Sequence, residues 1–231
     1  MSASFERQAH QSQFWARLAG FLFLWLIFTG LGGALIVSHV LGSGPPAALA
    51  QRALEGEHLY RLGLLAELVE VLSALLLAFA LLAILRHVDP LLALLGFAWR
   101  AAEALVGLAG MLFGYARLGA YTATPLSPPV IDFARGAAVA AYNISALCFS
   151  FGSLLFFVLF WRARSIPRGL AALGIAASPV VTLVCVGSLL FPERASLLQY
   201  GWLPMAFAEV GTGLWLLIRG AKAPAGSGAA G

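Results

Sequence analysis

Apolar residues fall along this chain in long runs, and polar residues gather in the short gaps between them. Six runs are long enough to cross a hydrocarbon core, which takes about 20 helical residues. They are Trp15–Leu41, Leu59–Leu85, Leu91–Leu118, Phe133–Trp161, Leu170–Phe191 and Trp202–Ile218. Leu, Ala, Phe and Val fill them without period-2 alternation, which predicts helices rather than barrel strands. The gaps hold helix breakers and charges: Gly42-Ser43-Gly44-Pro45-Pro46, Arg86-His87-Val88-Asp89-Pro90, the proline-rich Thr122–Pro129, Arg162–Gly169, and Pro192-Glu193-Arg194. Between the first two runs, Ala47–Glu57 sets Leu49, Ala53 and Leu54 on one side and Gln51, Arg52 and Glu55 on another. That predicts a short helix lying on the membrane surface.

The opening apolar stretch, Phe14 to Val40, is too long for the hydrophobic region of a secretory signal, so it reads as a retained first helix. The expected organisation is a cytoplasmic segment at 1–14, a six-helix transmembrane domain at 15–220 and a flexible Gly/Ala/Ser-rich tail at 221–231.

Composition sharpens this picture. With 61% of residues hydrophobic and 10% charged, the chain lies far from a soluble domain, which excludes a disordered chain, a nucleic-acid-binding domain and a soluble enzyme. All basic residues except Lys222 are arginines, scattered without a dense patch. Six crossings put both termini on one side. If that side is the cytoplasm, its segments hold Arg7, Arg17, Arg86, Arg162, Arg164, Arg168, Arg219 and Lys222. The outer segments then hold only Arg52, Arg61, Arg117, Arg135 and Arg194, a bias that favours N-in/C-in. Cys148 and Cys185 both lie inside apolar runs and form no disulfide framework or CxxC motif.

The informative residues are the charges inside the spans: Glu67 and Glu70 in the second, Arg100 and Glu103 in the third, and Glu209 in the sixth. A charge at the bilayer centre costs at least about 2.5–3.5 kcal/mol, so these groups should face one another or a wet cavity. Counting about 1.5 Å per residue from each cytoplasmic end puts Arg100 and Glu209 at one level. Glu103 lies a turn above on Arg100's own face, Glu70 a further turn out, then Glu67, with Asn143 of the fourth span roughly level with Glu67. This is a ladder of acids around a single arginine. Arg100 could bridge Glu209 and Glu103 merely to fix helix packing, yet four carboxylates cannot all be neutralised by one guanidinium. The surplus must be protonated, hydrated or paired with a cation.

Other features have plainer readings. Pro179 frees the carbonyl of Ile175, predicting a kink that neighbouring helices or Ser178 can tolerate. Gly107, Gly110 and Gly114 would let the third helix approach a partner. Asn143-Ile144-Ser145 matches a glycosylation acceptor, which is empty inside a span. His39 and His58 share a side with Glu67 and could in principle complete a zinc site, but no HExxH or paired-histidine spacing supports it. Two-histidine haem ligation is poorly served, and no GxSxG or phosphate loop is present. No cofactor, metal or catalytic residue is assigned.

Several local patterns together resemble one family. They are Arg61-Leu62-Gly63-Leu64-Leu65-Ala66-Glu67 opening the second helix, the turn with Val88 followed by Leu91–Leu95 and Arg100, Ser165-Ile166-Pro167-Arg168-Gly169-Leu170 before the fifth helix, and Glu209 followed by Leu214-Trp215-Leu216-Leu217-Ile218-Arg219-Gly220. They are similar to the bacterial six-helix membrane proteins grouped as domain of unknown function 4386, over roughly Arg17 to Gly220. The resemblance implies six helices and a bacterial inner-membrane location, and no activity.

The expectation is an all-α, polytopic transmembrane bundle whose polar core binds a small solute, ion or lipid headgroup, for transport or sensing. Arg100, Glu103, Glu209, Glu70, Glu67 and Asn143 are the candidate binding residues. The alternative is a structural or accessory membrane protein whose charges only fix packing. An intramembrane acid/base or metal-dependent enzyme stands third. Expected partners are the lipid bilayer and a small solute, proton or lipid headgroup, with no nucleic acid.

Overall fold

The computed structural model describes residues 2–123 and 127–221, with the side chains of residues 2–9 and Pro46 left out of the description. The expected tail from residue 222 onward therefore lies outside it. The helices are α1 (Ser2–Leu41), α2 (Pro46–Glu55), α3 (Glu57–Leu85), α4 (Pro90–Thr122), α5 (Pro128–Ala163), α6 (Arg168–Leu190), a single turn α7 (Ala195–Leu198) and α8 (Leu203–Arg219). Short 3-10 turns at Pro192–Arg194 and Gln199–Trp202 flank α7. No strand occurs among the described residues.

Local chemistry sets the helix ends. Proline stands in the first turn of α2, α4 and α5, where its missing N–H costs nothing. Asp89 caps α4, its Oδ1 accepting from the Leu92 N–H at 3.0 Å. Its Oδ2 lies 3.2 Å from Arg162 Nη1, tying the α3–α4 turn to the end of α5. Gln13 Nε2 donates to the Ala221 carbonyl at 2.7 Å, so the start of α1 and the end of α8 share one end of the bundle. The other end carries α2.

α1, α3, α4, α5, α6 and α8 are long and apolar enough to cross a membrane, the last together with the turns that begin at Pro192. Each packs against its neighbour in chain order and α8 returns to α1, closing a ring of six. The outward faces are as oily as the interior: Phe28, Leu112 and Leu183 are each 70% exposed or more. A soluble monomer does not carry apolar surface on this scale, whereas lipid tails cover it without cost. The chain is a multi-pass membrane protein.

The structure adds detail to three of the sequence expectations. α1 begins at Ser2, so residues 2–14 are helical and continuous with the first span. α2 forms as expected, but it buries Ala50 and Ala53 while Leu54 is 53% exposed, because it packs on α4 rather than presenting one whole apolar side outward. Ser178 Oγ bonds the Gly174 carbonyl at 2.8 Å and not that of Ile175.

The tightest helix approaches are also not where the α4 glycines suggested. Gly107, Gly110 and Gly114 meet only side chains of α3 and α5. Backbones meet backbones at Gly33 with Gly63 (α1–α3), at Gly20 with Gly213 (α1–α8) and at Gly96 with Gly152 (α4–α5). A Cβ at Gly33 would stand 2.8 Å from the Gly63 carbonyl oxygen, with the Glu67 backbone nitrogen 3.1 Å away. Its neighbour Gly32 faces open space. Gly33→Leu should therefore lower stability in an unfolding titration of the detergent-solubilised protein by about 1–3 kcal/mol or more, and Gly32→Leu should leave it unchanged. Equal effects of the two would contradict the α1–α3 contact.

Candidate functional site

Two apolar clusters occupy the ends of the ring. One, toward the termini, includes Ala19, Phe23, Leu81, Phe156, Phe157, Phe160 and Leu216. The other, toward α2, includes Val37, Tyr60, Leu64, Met111, Leu118 and Tyr121. Arg100, Glu103, Glu70 and Glu209 belong to neither.

Arg100 is the deepest of these charges, at 3% exposure. α5 makes room for it. A Cβ at Gly152 would come within 2.7 Å of Arg100 Cγ, so only glycine leaves space for the aliphatic stem. The guanidinium then lies over the Phe149 ring, 4.6 Å from its centroid, a cation–π contact in a water-poor setting. Trp202, at the end of the turn before α8, packs against Phe149 as well, their ring centroids 5.6 Å apart.

Arg100 Nη1 lies 3.0 Å from Glu103 Oε2. The alignment is poor: Arg100 Nε, Arg100 Nη1 and Glu103 Oε2 are all buried without a hydrogen-bond partner among the described residues. A buried unpaired donor is costly, and an ionised one more so. Glu103 is itself fixed from behind, since Ser145 Oγ of α5 donates to the Glu103 backbone carbonyl at 2.9 Å. Glu209 of α8 lines one small cavity with Arg100, Ser153, Phe23, Leu81 and three phenylalanines of α5, of about 10 Å³. That is room for a single water. The expected Arg100–Glu209 ion pair does not form, because the two groups stand beyond salt-bridge distance across this cavity and Arg100 turns instead to its own helix.

Glu70 and Glu67 face α1. A Cβ at Gly30 would meet Glu70 Cδ at 3.0 Å, and one at Gly33 would meet Glu67 Cγ at 2.9 Å, so these two glycines open space for the acid stems. Glu70 lies within electrostatic reach of Arg100, Glu67 and Glu209. No hydrogen bond or ion pair to Glu67, Glu70 or Glu209 forms among the described residues.

Glu67 belongs to a second group. Arg117 is not an outer-loop charge: it sits inside α4, its Nε donating to Tyr60 Oη at 2.8 Å, and it acts electrostatically on Glu67. Glu67 thus has Arg117 as its arginine neighbour, while Glu70, Glu103 and Glu209 are grouped with Arg100. Arg117 was legible in sequence, since it continues the stripe Arg100, Glu103, Gly107, Gly110, Gly114 at steps of three and four. Phe149 and Gly152 carry no such signal. Asn143 is buried but donates to its own helix at Val139 O, 2.9 Å, and is tied to none of the acids. His39 and His58 are both exposed, and no group of three His, Cys, Asp or Glu side chains is placed to hold a metal among the described residues.

A family model described as domain of unknown function (DUF4386) matches residues 18–220, and the chain belongs to that family. No curated protein and no solved structure matches it.

Arg100→Met should destabilise the protein by about 3–5 kcal/mol, because it strands Glu103 beside an apolar side chain. Adding Glu103→Gln should return most of that loss in the same unfolding titration. Strictly additive costs would mean that the 3.0 Å contact carries no coupling.

Proposed function

We propose that this DUF4386 member takes up protons, or a comparably small cation, at the Arg100–Glu103–Glu209–Glu70 core, in the service of transport or sensing across a bacterial inner membrane, with both termini inside. The carrying observation is the charge balance around Arg100. Three carboxylates share the core with one guanidinium, and only Glu103 is in ion contact with it. Fully ionised, the core would hold two uncompensated negative charges within a low-dielectric ring, which insertion energetics oppose. Bound protons or a cation remove that excess.

The size of the site narrows the ligand. A cavity of about 10 Å³ between Arg100 and Glu209 suits a water, hydronium or bare ion far better than an organic solute or lipid headgroup. The packing-only reading is weakened by the same geometry. The Arg100–Glu103 pair joins two residues of α4, and an ion pair within one helix cannot set the register between helices. What crosses helices here is the Arg100–Phe149 contact, which a packing role would also need.

Infrared difference spectroscopy on the purified protein in lipid tests this. A carboxylic-acid C=O signal should change with pH in the wild type and shrink in Glu209→Gln and in Glu70→Gln, while Glu193→Gln, an exposed control, leaves it unchanged. A pH-dependent signal insensitive to both core variants would reduce the core to a packing device.

A further inference from the structure

The ionisable side chains of the interior run in one direction only. From the Arg100 core toward the α2 end come Glu70, then Glu67 on the same face of α3, then Arg117 with its bond to Tyr60. Toward the termini the core cavity is bounded by Phe23, Leu81, Phe156, Phe157 and Phe160, each at most 5% exposed. Ser153 lines the same cavity beside Arg100 and Glu209, and Thr212, one turn of α8 beyond Glu209, is buried; neither carries charge. The charged side chains end at Arg100 and Glu209; beyond them only the hydroxyls of Thr212 and Ser165 are buried without a hydrogen-bond partner among the described residues.

We propose that protons exchange with the core from the α2 end alone, by way of Glu67 and Glu70, with the aromatic floor closing the path to the end that carries the termini. The proposal rests on the proton-binding reading above and adds the side of access and the residues of the route. A proton taken up on the Glu67 carboxylate passes to Glu70, one helical turn deeper, and from there to Glu209 or Glu103, each donor returning to its ionised form as its neighbour accepts. Arg117 does not carry the proton. Held by Tyr60, it keeps a fixed positive charge beside Glu67.

The groups facing this route can be named from every packed element. α1 contributes the uncharged Thr29, Gly30 and Gly33; α3 contributes Glu67 and Glu70; α4 contributes Arg100, Glu103 and Arg117. α5 contributes Ser145 and Cys148 and no charge, α6 no charge, and α8 Glu209. The gap left by Gly30 and Gly33 is what keeps the Glu67 and Glu70 stems on one continuous line along α1.

One-sided pH jumps decide it. The full chain is reconstituted into sealed liposomes, which are sorted by the accessibility of a C-terminal tag. Infrared difference spectra are then recorded while only the external bath is changed. Vesicles with α2 outward should give the carboxyl signal directly, and vesicles with α2 inward should give it only after a protonophore equilibrates the lumen. Glu67→Gln should lose the direct response in α2-outward vesicles, and Glu67→Asp should restore it. A direct response with α2 inward, or an unchanged response in Glu67→Gln, would overturn one-sided access while leaving proton binding in place. No signal in either orientation even with protonophore would remove the proton-binding reading, and this proposal with it.

Discussion

One buried guanidinium constrains the rest of this molecule. Arg100 stands near the middle of a helix that has lipid on one face, and an uncompensated charge there opposes insertion. The fold answers in three ways. It turns Arg100 into the ring, lays its charge on the Phe149 ring, and brings Glu103 to 3.0 Å. Each answer depends on a detail elsewhere: a missing Cβ at Gly152, a hydroxyl at Ser145 fastening the Glu103 backbone, and Trp202 packed against Phe149. The remaining acids are then an excess that the protein has to neutralise by other means. That excess distinguishes the core from a simple internal salt bridge.

The placement of the apolar residues is as telling as that of the charges. In lipid no hydrophobic force drives helices together, so close approach and shape have to do it. Here backbone-to-backbone contact occurs at Gly33–Gly63 and Gly20–Gly213, both on α1, and at Gly96–Gly152 between α4 and α5, so α1 joins α3 to α8 as α4 joins α5. α1 also supplies the glycines behind Glu67 and Glu70. Packing and polar path are therefore built from one set of small residues, and changing them for stability alone would disturb the acids. The two apolar clusters differ correspondingly. The one toward α2 is interrupted by the Tyr60–Arg117 pair, and the one toward the termini is made of stacked aliphatic and aromatic side chains.

Much of the architecture was legible in the sequence because a bilayer enforces it. Long apolar runs must become helices, and the prolines at 46, 90 and 128 stand where helices begin. The Arg100–Glu103 contact was legible for a similar reason, since i and i+3 share a face. What escaped depended on helix rotation and on side-chain reach, which spacing does not encode. Depth counting put Arg100 and Glu209 at one level, but level alone does not close the distance, and a water-sized cavity separates them. Asn143 sits at a suggestive depth and spends its donor on its own helix. Arg117 lay near enough to a helix end to be counted with the loops, although its stripe on α4 placed it inward.

The central claim is that Arg100 is held inward by Phe149 and Glu103 and faces Glu209 across space for one water. An experimental structure in a lipid nanodisc, at a resolution that shows ordered water, tests it most directly. The account predicts the guanidinium over the Phe149 ring with a water density touching both Arg100 and Glu209. A guanidinium directed at the acyl chains, or one packed against Glu209 in direct contact with no space between them, would contradict it.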